Sequence, residues 1–222
     1  MVFYFKAVIP DEIVDIERQI YMGRDKIEND PLIHHSHPKN IWFHVDNVSS
    51  AHVYLQLTAD EIKSWKSFQS FDIDERVLEQ MAQLVKANSI KGNKLNNVTI
   101  IYTPVENLHT DGSMDTGTVT FKNPKLVKRV KVAKKDNAII NKLNKTKTEG
   151  STEDFIAAQQ ELAKQIDRER KEQERLDKEL ELQYAEAKRT KNDPYADLYS
   201  QEAVNANSNE FRNENWVDDE FW

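Results

Sequence analysis

Short runs of apolar and aromatic residues in the first part of the chain predict β-strands. The runs stand at 2–5, 19–22, 41–45, 52–57, 98–102 and 118–121. Two of them, 41–45 and 52–57, are separated by the stretch 47–51, which is rich in small residues. These two runs are therefore expected to form adjacent strands joined by a tight connection.

A different period begins after Asp74, which fits the N-cap of a helix. Apolar residues then recur at three- and four-residue steps up to about Ser89, namely at Val77, Leu78, Met81, Leu84 and Val85. The strand runs do not alternate with further helices of this kind, as they would in βαβ units. The expected fold class is therefore α+β, a mostly antiparallel sheet with one packed amphipathic helix.

The chain changes character beyond residue 125. Residues 126–132 alternate apolar and basic side chains, which predicts another strand. Residues 151–192 contain neither Gly nor Pro, which predicts a long charged helix on the order of 55 Å in length. The predicted organisation is a domain at 1–125, a basic strand/helix segment at 126–148, a long charged helix at 149–193, and a disordered acidic-aromatic tail at 194–222.

The long helix carries a thin apolar seam. Glu169 and Gln173 interrupt the apolar residues, which are Phe155, Leu162 and Leu176 in one seven-residue register and Ile166 and Leu180 in another. Two interpretations stay open. The helix is either single and solvated, or it forms a weak or partner-induced coiled coil, in which case the protein is an oligomer.

Composition excludes several classes of protein. The 222 residues include no cysteine, so disulfide-stapled scaffolds, thiolate zinc sites and cysteine nucleophiles are excluded. No apolar run reaches the roughly 20 residues that span a bilayer, so no transmembrane segment is expected. Residues 1–6 lack the pattern of a secretory signal, and we therefore expect a cytoplasmic protein, with entry into the nucleus left open.

The net charge of −7 conceals a strongly basic segment. Residues 121–148 hold ten basic side chains and one acid, Asp136: the bases are Lys122, Lys125, Lys128, Arg129, Lys131, Lys134, Lys135, Lys142, Lys145 and Lys147. Cations held near one face bind phosphates and release counterions, so this segment predicts contact with nucleic acid. The alternatives are a solvated charge run, a nuclear-import signal and a patch for anionic membranes.

An ordered set of motifs runs through the predicted domain. The segment 20–25 ends in Gly23-Arg24-Asp25 and is followed by Asn29; a Trp-Phe-His strand at 41–46 and an Ala-His-Val element at 50–53 come next. This set resembles the NFACT-R domain, the RNA-binding module of ribosome quality-control factors, over about residues 1–125. The later segments resemble a stand-alone branch, the coiled-coil domain-containing protein 25 family with its yeast J-like member. The resemblance implies binding of tRNA or rRNA near the ribosome and a role in translation quality control, and it implies no established catalytic residue.

Several residues of these motifs are candidates for RNA contact. Gly23 permits close backbone approach or a positive φ, and Arg24, with Lys26 nearby, can bind a phosphate, although an ordinary turn with an Arg24–Asp25 pair explains the same residues. Strand alternation places Trp42 and His44 on one face, where with His52 they can stack on bases; alternatively Trp42 is a core residue.

The same histidines raise the question of catalysis. His44 and His52, with Asp46 nearby, are also candidates for a general base or a metal pair, but no oriented nucleophile is evident. The tract 34–38, which holds three histidines, reads as loop residues before a strand, and no metal site or cofactor is predicted.

The tail ends in aromatic residues among acids, at Trp216, Phe221 and Trp222. It is interpreted as a linear motif that binds a protein partner, or as a segment that folds back on the basic region. The leading hypothesis is thus a non-enzymatic RNA-binding adaptor at the ribosome. The alternatives are an enzyme that releases or cleaves stalled peptidyl-tRNA, and a scaffold that acts through the long helix and the tail.

Overall fold

The structure is a computed structural model that describes residues 1–10, 15–111, 114, 115, 117–192 and 204. The chain divides into two compact units, Met1–Asp167 and Arg168–Trp222, which are described separately.

The first unit is built on a seven-stranded sheet in the order β8-β5-β3-β4-β2-β1-β9, with every neighbouring pair antiparallel. Its strands are β1 (Val2–Ile9), β2 (Ile16–Gly23), β3 (Ile41–Val45), β4 (Val53–Leu55), β5 (Val98–Pro104), β8 (Lys128–Val132) and β9 (Thr148–Gly150). Two short strands, β6 (Leu108–His109) and β7 (Thr120–Phe121), pair with each other in a second sheet. The predicted α+β class with a mostly antiparallel sheet is confirmed.

Five α-helices accompany the sheets in the described part of the chain: α1 (Lys26–His35), α2 (Ala59–Ser64), α3 (Glu75–Ala87), α4 (Asn137–Lys145) and α5 (Thr152–Asn192). The helix predicted after Asp74 is α3. Asp74 caps it by accepting a hydrogen bond from the Arg76 amide at 2.8 Å, and Met81, Leu84 and Val85 are buried on one side of it.

Helix α1 was not predicted. Asp25 starts it by accepting hydrogen bonds from the amides of Ile27 and Glu28 at 3.0 and 3.2 Å. Pro31 lies inside this helix. Because proline in a helix interior normally breaks the helix, the sequence offered no reason to predict α1. His34 and His35, interpreted above as loop residues, form its last turn.

The sheet separates two apolar layers. Phe43 belongs to the layer beneath α3, together with Phe5 and Leu55. Trp42 belongs to the opposite layer, which also contains Leu32 of α1 and Phe155 of α5. The predicted alternation of side chains along β3 is therefore confirmed.

The basic segment 126–148 takes part in this unit. It supplies β8, which pairs with β5; α4, which packs near α3; and β9, which pairs with β1. The first residues of α5 also belong here, since the Phe155 ring is buried 4.9 Å from the Tyr21 ring. The sheet thus extends beyond the boundary expected at residue 125.

In the second unit, α5 continues from Arg168 to Asn192 as the predicted long helix. Leu176 and Leu180 are about half exposed along it. Within the described residues, no helix is both long and apolar enough to cross a membrane. The coiled-coil interpretation stays a prediction, and the tail with Trp216, Phe221 and Trp222 lies outside the described residues.

Candidate nucleic-acid interface

The motif residues meet at one end of the seven-stranded sheet. In β1 and β2, Val2 lies opposite Gly23; in β3, β5 and β8, His44 lies opposite Ile101, which lies opposite Arg129. Val53 pairs with both Met22 and Phe43, so the next residue along, His52, lies between Gly23 and His44. Gly23, His52 and His44, one from each motif segment, therefore lie in one row across the sheet, and this row ends at Arg129 of β8.

Gly23 allows α1 to approach the end of β2 closely. A β-carbon at this position would lie 3.0 Å from both Asn29 Oδ1 and Leu32 Cδ1. Gly117 is the described glycine with a positive φ, so close approach, and not a left-handed backbone, explains the glycine at position 23. Asn29, the next motif residue, is buried directly above it.

The turn after Gly23 presents two cations. The Arg24 side chain is 56% exposed, and its Nη2 lies 3.4 Å from Asp25 Oδ2, the pair expected for an ordinary turn. Two backbone amides and Arg24 hold the pKa of Asp25 below its usual range, so its carboxylate stays charged as the cap of α1. Lys26 is exposed at the first position of that helix. Both cations are accessible to a phosphate.

An aromatic cluster lies below this surface. The Trp42 ring stacks on His44, with ring centres 5.3 Å apart, and meets His52 edge-on at 5.2 Å. Trp42 is only 1% exposed, because Phe121 of β7 also packs against it. The predicted role of Trp42 as a stacking surface for bases does not fit this geometry, and the alternative, a core residue, does.

The two histidines are held as neutral groups. Burial lowers the pKa of His44 although its Nδ1 lies 2.7 Å from the Val45 carbonyl oxygen. Burial, reinforced by His44, lowers the pKa of His52 from 6.5 to about 3. His52 Nδ1 and Trp42 Nε1 are buried and have no hydrogen-bond partner among the described residues.

This geometry is a poor fit for acid–base chemistry. His52 is 3% exposed, and an imidazole with a pKa near 3 is a weak base at neutral pH. Its ring meets His44 edge-on at 5.2 Å, and Asp46 pairs instead with Arg129, at 3.7 Å between Oδ2 and Nε. Where the structure describes the chain, no three His, Asp or Glu side chains are grouped as metal ligands.

The basic residues of 121–148 do not share one face. Four of them lie at the same end of the sheet as the motif row: Arg129, Lys131, Lys134 and Lys135 are all exposed there. Lys128 is engaged elsewhere, because its ammonium donates to the Phe71 carbonyl at 2.9 Å and lies over the Phe68 ring. Lys128 therefore anchors the loop at 65–73 to β8.

The other basic residues of the segment lie elsewhere. Lys122 donates to the Glu106 carbonyl at 2.8 Å, and Lys125 precedes β8, so both belong to the opposite end of the sheet. Lys142 and Lys145 are exposed on α4, and Lys147 lies over the Phe3 ring. The expectation of a single basic face is corrected accordingly.

Two cations that sequence reasoning missed join the motif end. Lys91 and Lys94 lie in the loop between α3 and β5. The ammonium of Lys86, which is fully buried, donates to the carbonyls of Gly92 and Leu95 and holds this loop in shape. Lysines around a glycine gave a turn signal, but only the fold shows which end of the sheet they reach.

The exposed cations at this end are named the basic rim: Arg24, Lys26, Lys91, Lys94, Arg129, Lys131, Lys134 and Lys135. β2 and β8 are four strand spacings apart in the sheet order, so the rim extends over roughly 19 Å. Two acids beside the rim, Asp25 and Asp46, are paired with Arg24 and Arg129. Such a surface can contact several phosphates of one nucleic acid.

Comparisons with known proteins find several similar chains. Coiled-coil domain-containing protein 25 of Mus musculus is 48% identical to the chain over 149 residues, which is 67% of each protein. Protein JLP2 of Saccharomyces cerevisiae is 41% identical over 133 residues, covering 59% of this chain and 61% of JLP2. A solved structure, the C-terminal part of the fibronectin/fibrinogen-binding protein from Streptococcus suis, is similar with a TM-score of 0.48 and 19% identity, covering 65% of this chain and 48% of that one.

The family comparison matches more than half of the chain. Residues 1–123 match the NFACT protein RNA binding domain. The matched range holds every motif residue of the row, from Gly23 to His52, and the turn with Arg24 and Lys26. The chain therefore belongs to the NFACT RNA-binding domain family.

Proposed function

We propose that the protein binds tRNA or rRNA through the basic rim and acts as a ribosome-associated adaptor in translation quality control. The observation that carries the proposal is the convergence of the family motif and eight exposed cations at one end of the sheet. Phosphates bind the cations, while the buried Trp42 and histidines keep the strand ends and turns in position.

The adaptor role draws on the second half of the chain. This half contains the 41-residue charged helix α5. The acidic-aromatic sequence with Trp216, Phe221 and Trp222 has the composition of a segment that orders when it binds a protein. Cytoplasmic location is part of the same proposal.

A salt series with matched variants tests the RNA contact. The full-length chain is titrated with tRNA at several salt concentrations, as wild type and as the triple variant Arg129→Ala, Lys131→Ala, Lys134→Ala. Removing three phosphate contacts should weaken binding at low salt and reduce the slope of log affinity against log salt by about 2 to 3.

The control removes the same charge from the same segment. Lys125→Ala, Lys142→Ala and Lys145→Ala all lie off the basic rim and are exposed. This triple variant should keep the wild-type slope. Equal losses in the two triple variants, or no binding of wild type at low salt, would refute the rim as the site.

Association with the ribosome is tested separately. Cell extract is sedimented on a sucrose gradient with and without ribonuclease, and the protein is followed by immunoblot. Sedimentation with ribosomes or a subunit supports the proposal. A protein that stays at the top of both gradients contradicts the ribosomal part and leaves the tRNA titration to decide the RNA contact.

A further inference from the structure

Strand β8 forms an edge of the seven-stranded sheet, and no strand in the described part of the chain pairs with its outer side. An open edge offers main-chain hydrogen bonds to an added strand. This edge runs along a groove of about 640 Å³ between α3 and the segment 130–137. Three cations of the basic rim, Lys131, Lys134 and Lys135, also line this groove, and its segment 130–137 lies outside the residues matched by the family.

The hydrogen-bond pattern of β5 shows which groups of β8 are free. Asp46 donates its amide to the Thr99 carbonyl at 2.9 Å, and Val105 donates to the Asn40 carbonyl at 2.9 Å. The odd-numbered residues of β5 therefore turn their main-chain groups towards β3, and the even-numbered ones turn towards β8.

The register between β5 and β8 then shows which main-chain amides and carbonyls of β8 have no partner strand. Ile100 lies opposite Val130 and Val98 lies opposite Val132, so these two valines bond to β5. The amides and carbonyls of Arg129 and Lys131 alternate with them and face the open edge. Two residues of β8 are thus placed to exchange hydrogen bonds with an incoming antiparallel strand.

The side chains on the two faces of β8 specify the residues of that strand. On the groove side, Val130 lines the groove together with Leu78 and Ala82 of α3, which gives an incoming side chain apolar contacts. The same groove is also lined by acids, namely Glu75, Glu79 and Asp136, so an acidic side chain would be repelled there. On the other side, Arg129 and Lys131 are exposed cations. Residues directly opposite each other on paired strands share a face, so the incoming strand would place acids opposite the cations and apolar residues towards α3.

We propose that the outer edge of β8 binds an extended partner peptide in which acidic and apolar residues alternate. The peptide lies antiparallel to β8. Its acidic residues exchange main-chain hydrogen bonds with Arg129 and Lys131, and its apolar side chains enter the groove beside Leu78 and Val130. This protein-binding surface goes beyond the proposed RNA contact: it shares the side chains of Arg129 and Lys131 with the basic rim, but it uses their main-chain groups and the groove beside α3, and it does not require RNA binding.

The test uses a short peptide of alternating glutamate and valine with blocked ends, titrated into the full-length chain by fluorescence anisotropy. Two N-methylated peptides have the same side chains and the same charge. Methylation at the glutamates removes the donors that face Arg129 and Lys131, so affinity should fall at least about tenfold. Methylation at the valines removes donors that face away from β8, so affinity should be kept.

Amide hydrogen exchange gives a second readout on the protein itself. Bound peptide should slow exchange of the Arg129 and Lys131 amides, while the Val130 amide, already bonded to β5, should change little. The variant Leu78→Glu places a carboxylate in the groove and should weaken the peptide while leaving tRNA affinity as in wild type. A failed tRNA titration would therefore not affect this result.

Three outcomes would overturn the proposal. Equal affinity for the two methylated peptides would show that main-chain hydrogen bonds to β8 do not contribute and that the peptide binds through its charge. No binding of the unmodified peptide would leave the edge without the proposed partner. Protection of the Arg129 and Lys131 amides by tRNA, with no effect of the peptide, would assign the edge to RNA.

Discussion

Acidification should destabilise the protein through His52. The side chain is 3% exposed, and its pKa in the folded protein is about 3 against an ordinary value of 6.5. At pH values between these two pKa values, the His52 imidazole is protonated in the unfolded chain but stays neutral in the folded protein. The stability associated with His52 is therefore complete above about pH 6.5 and is lost as the pH falls towards 3.

The size of the effect follows from the two pKa values. At about pH 5 the solution lies 1.5 units below the ordinary pKa, and each unit corresponds to about 1.4 kcal/mol. His52 alone should then lower the free energy of unfolding by about 2 kcal/mol between pH 7 and pH 5. Burial also lowers the pKa values of His37 and His44, so the wild-type loss includes contributions of the same sign from them.

A pair of variants isolates the His52 contribution. Urea unfolding of the wild type, His52→Gln and His34→Gln is followed by far-UV circular dichroism at about pH 7 and about pH 5. The wild type should lose about 2 kcal/mol more than His52→Gln over this interval, whatever the variant's stability at pH 7. His34→Gln removes an exposed histidine and should follow the wild type.

The reasoning fails if His52→Gln loses as much stability on acidification as the wild type. It also fails if the ring of His52, followed by NMR in the folded protein, titrates near 6.5. Either result would mean that water reaches the imidazole, and the aromatic cluster would then be open enough to contact a base.

Other substitutions test the packing around the interface. Gly23→Ala should lower the free energy of unfolding by about 1 to 3 kcal/mol in urea, because the new methyl group meets Asn29 and Leu32 at 3.0 Å; wild-type stability would contradict the close approach. Lys86→Met should cost about 2 kcal/mol, because the Gly92 and Leu95 carbonyls lose their donor, and faster amide exchange at 89–95 would locate the effect; unchanged exchange would show that Lys86 does not hold the loop. Trp42→Ala should cost about 3 to 5 kcal/mol by the same urea assay, and a loss below 1 kcal/mol would contradict burial of the ring.

The sequence predicted the fold where the pattern was local. The strand 41–45 and the helix after Asp74 each carry their signal within a few residues: the strand in a run of apolar and aromatic residues, and the helix in an N-cap followed by apolar residues at three- and four-residue steps. Helix α1 lacked such a signal because Pro31 interrupts it and its buried residues, among them Asn29 and Leu32, depend on contact with the end of β2. Helix α1 is therefore stabilised mainly by tertiary packing, and a single sequence does not show those contacts.

The candidate site shows the same limit. The sequence showed ten bases within 121–148, but one side chain in this segment packs inward and its neighbour does not. Lys128 shares the face of Val130 and reaches Phe71, whereas Arg129 points to the other face and is 60% exposed. Alternation predicted two faces, yet only the pairing of β8 with β5 shows which face is covered.

The geometry separates two ways in which a substitution can weaken RNA binding. Gly23, Trp42 and His52 are buried, so changing them alters the positions of the strand ends and turns without removing a phosphate contact. Variants at these positions should reduce tRNA affinity while keeping the wild-type dependence on salt, since the number of released counterions is unchanged. Variants of the basic rim should change that dependence. If His52→Gln reduced the salt slope as much as Arg129→Ala, the histidine would lie close to a phosphate, and the buried cluster would have to open when RNA binds.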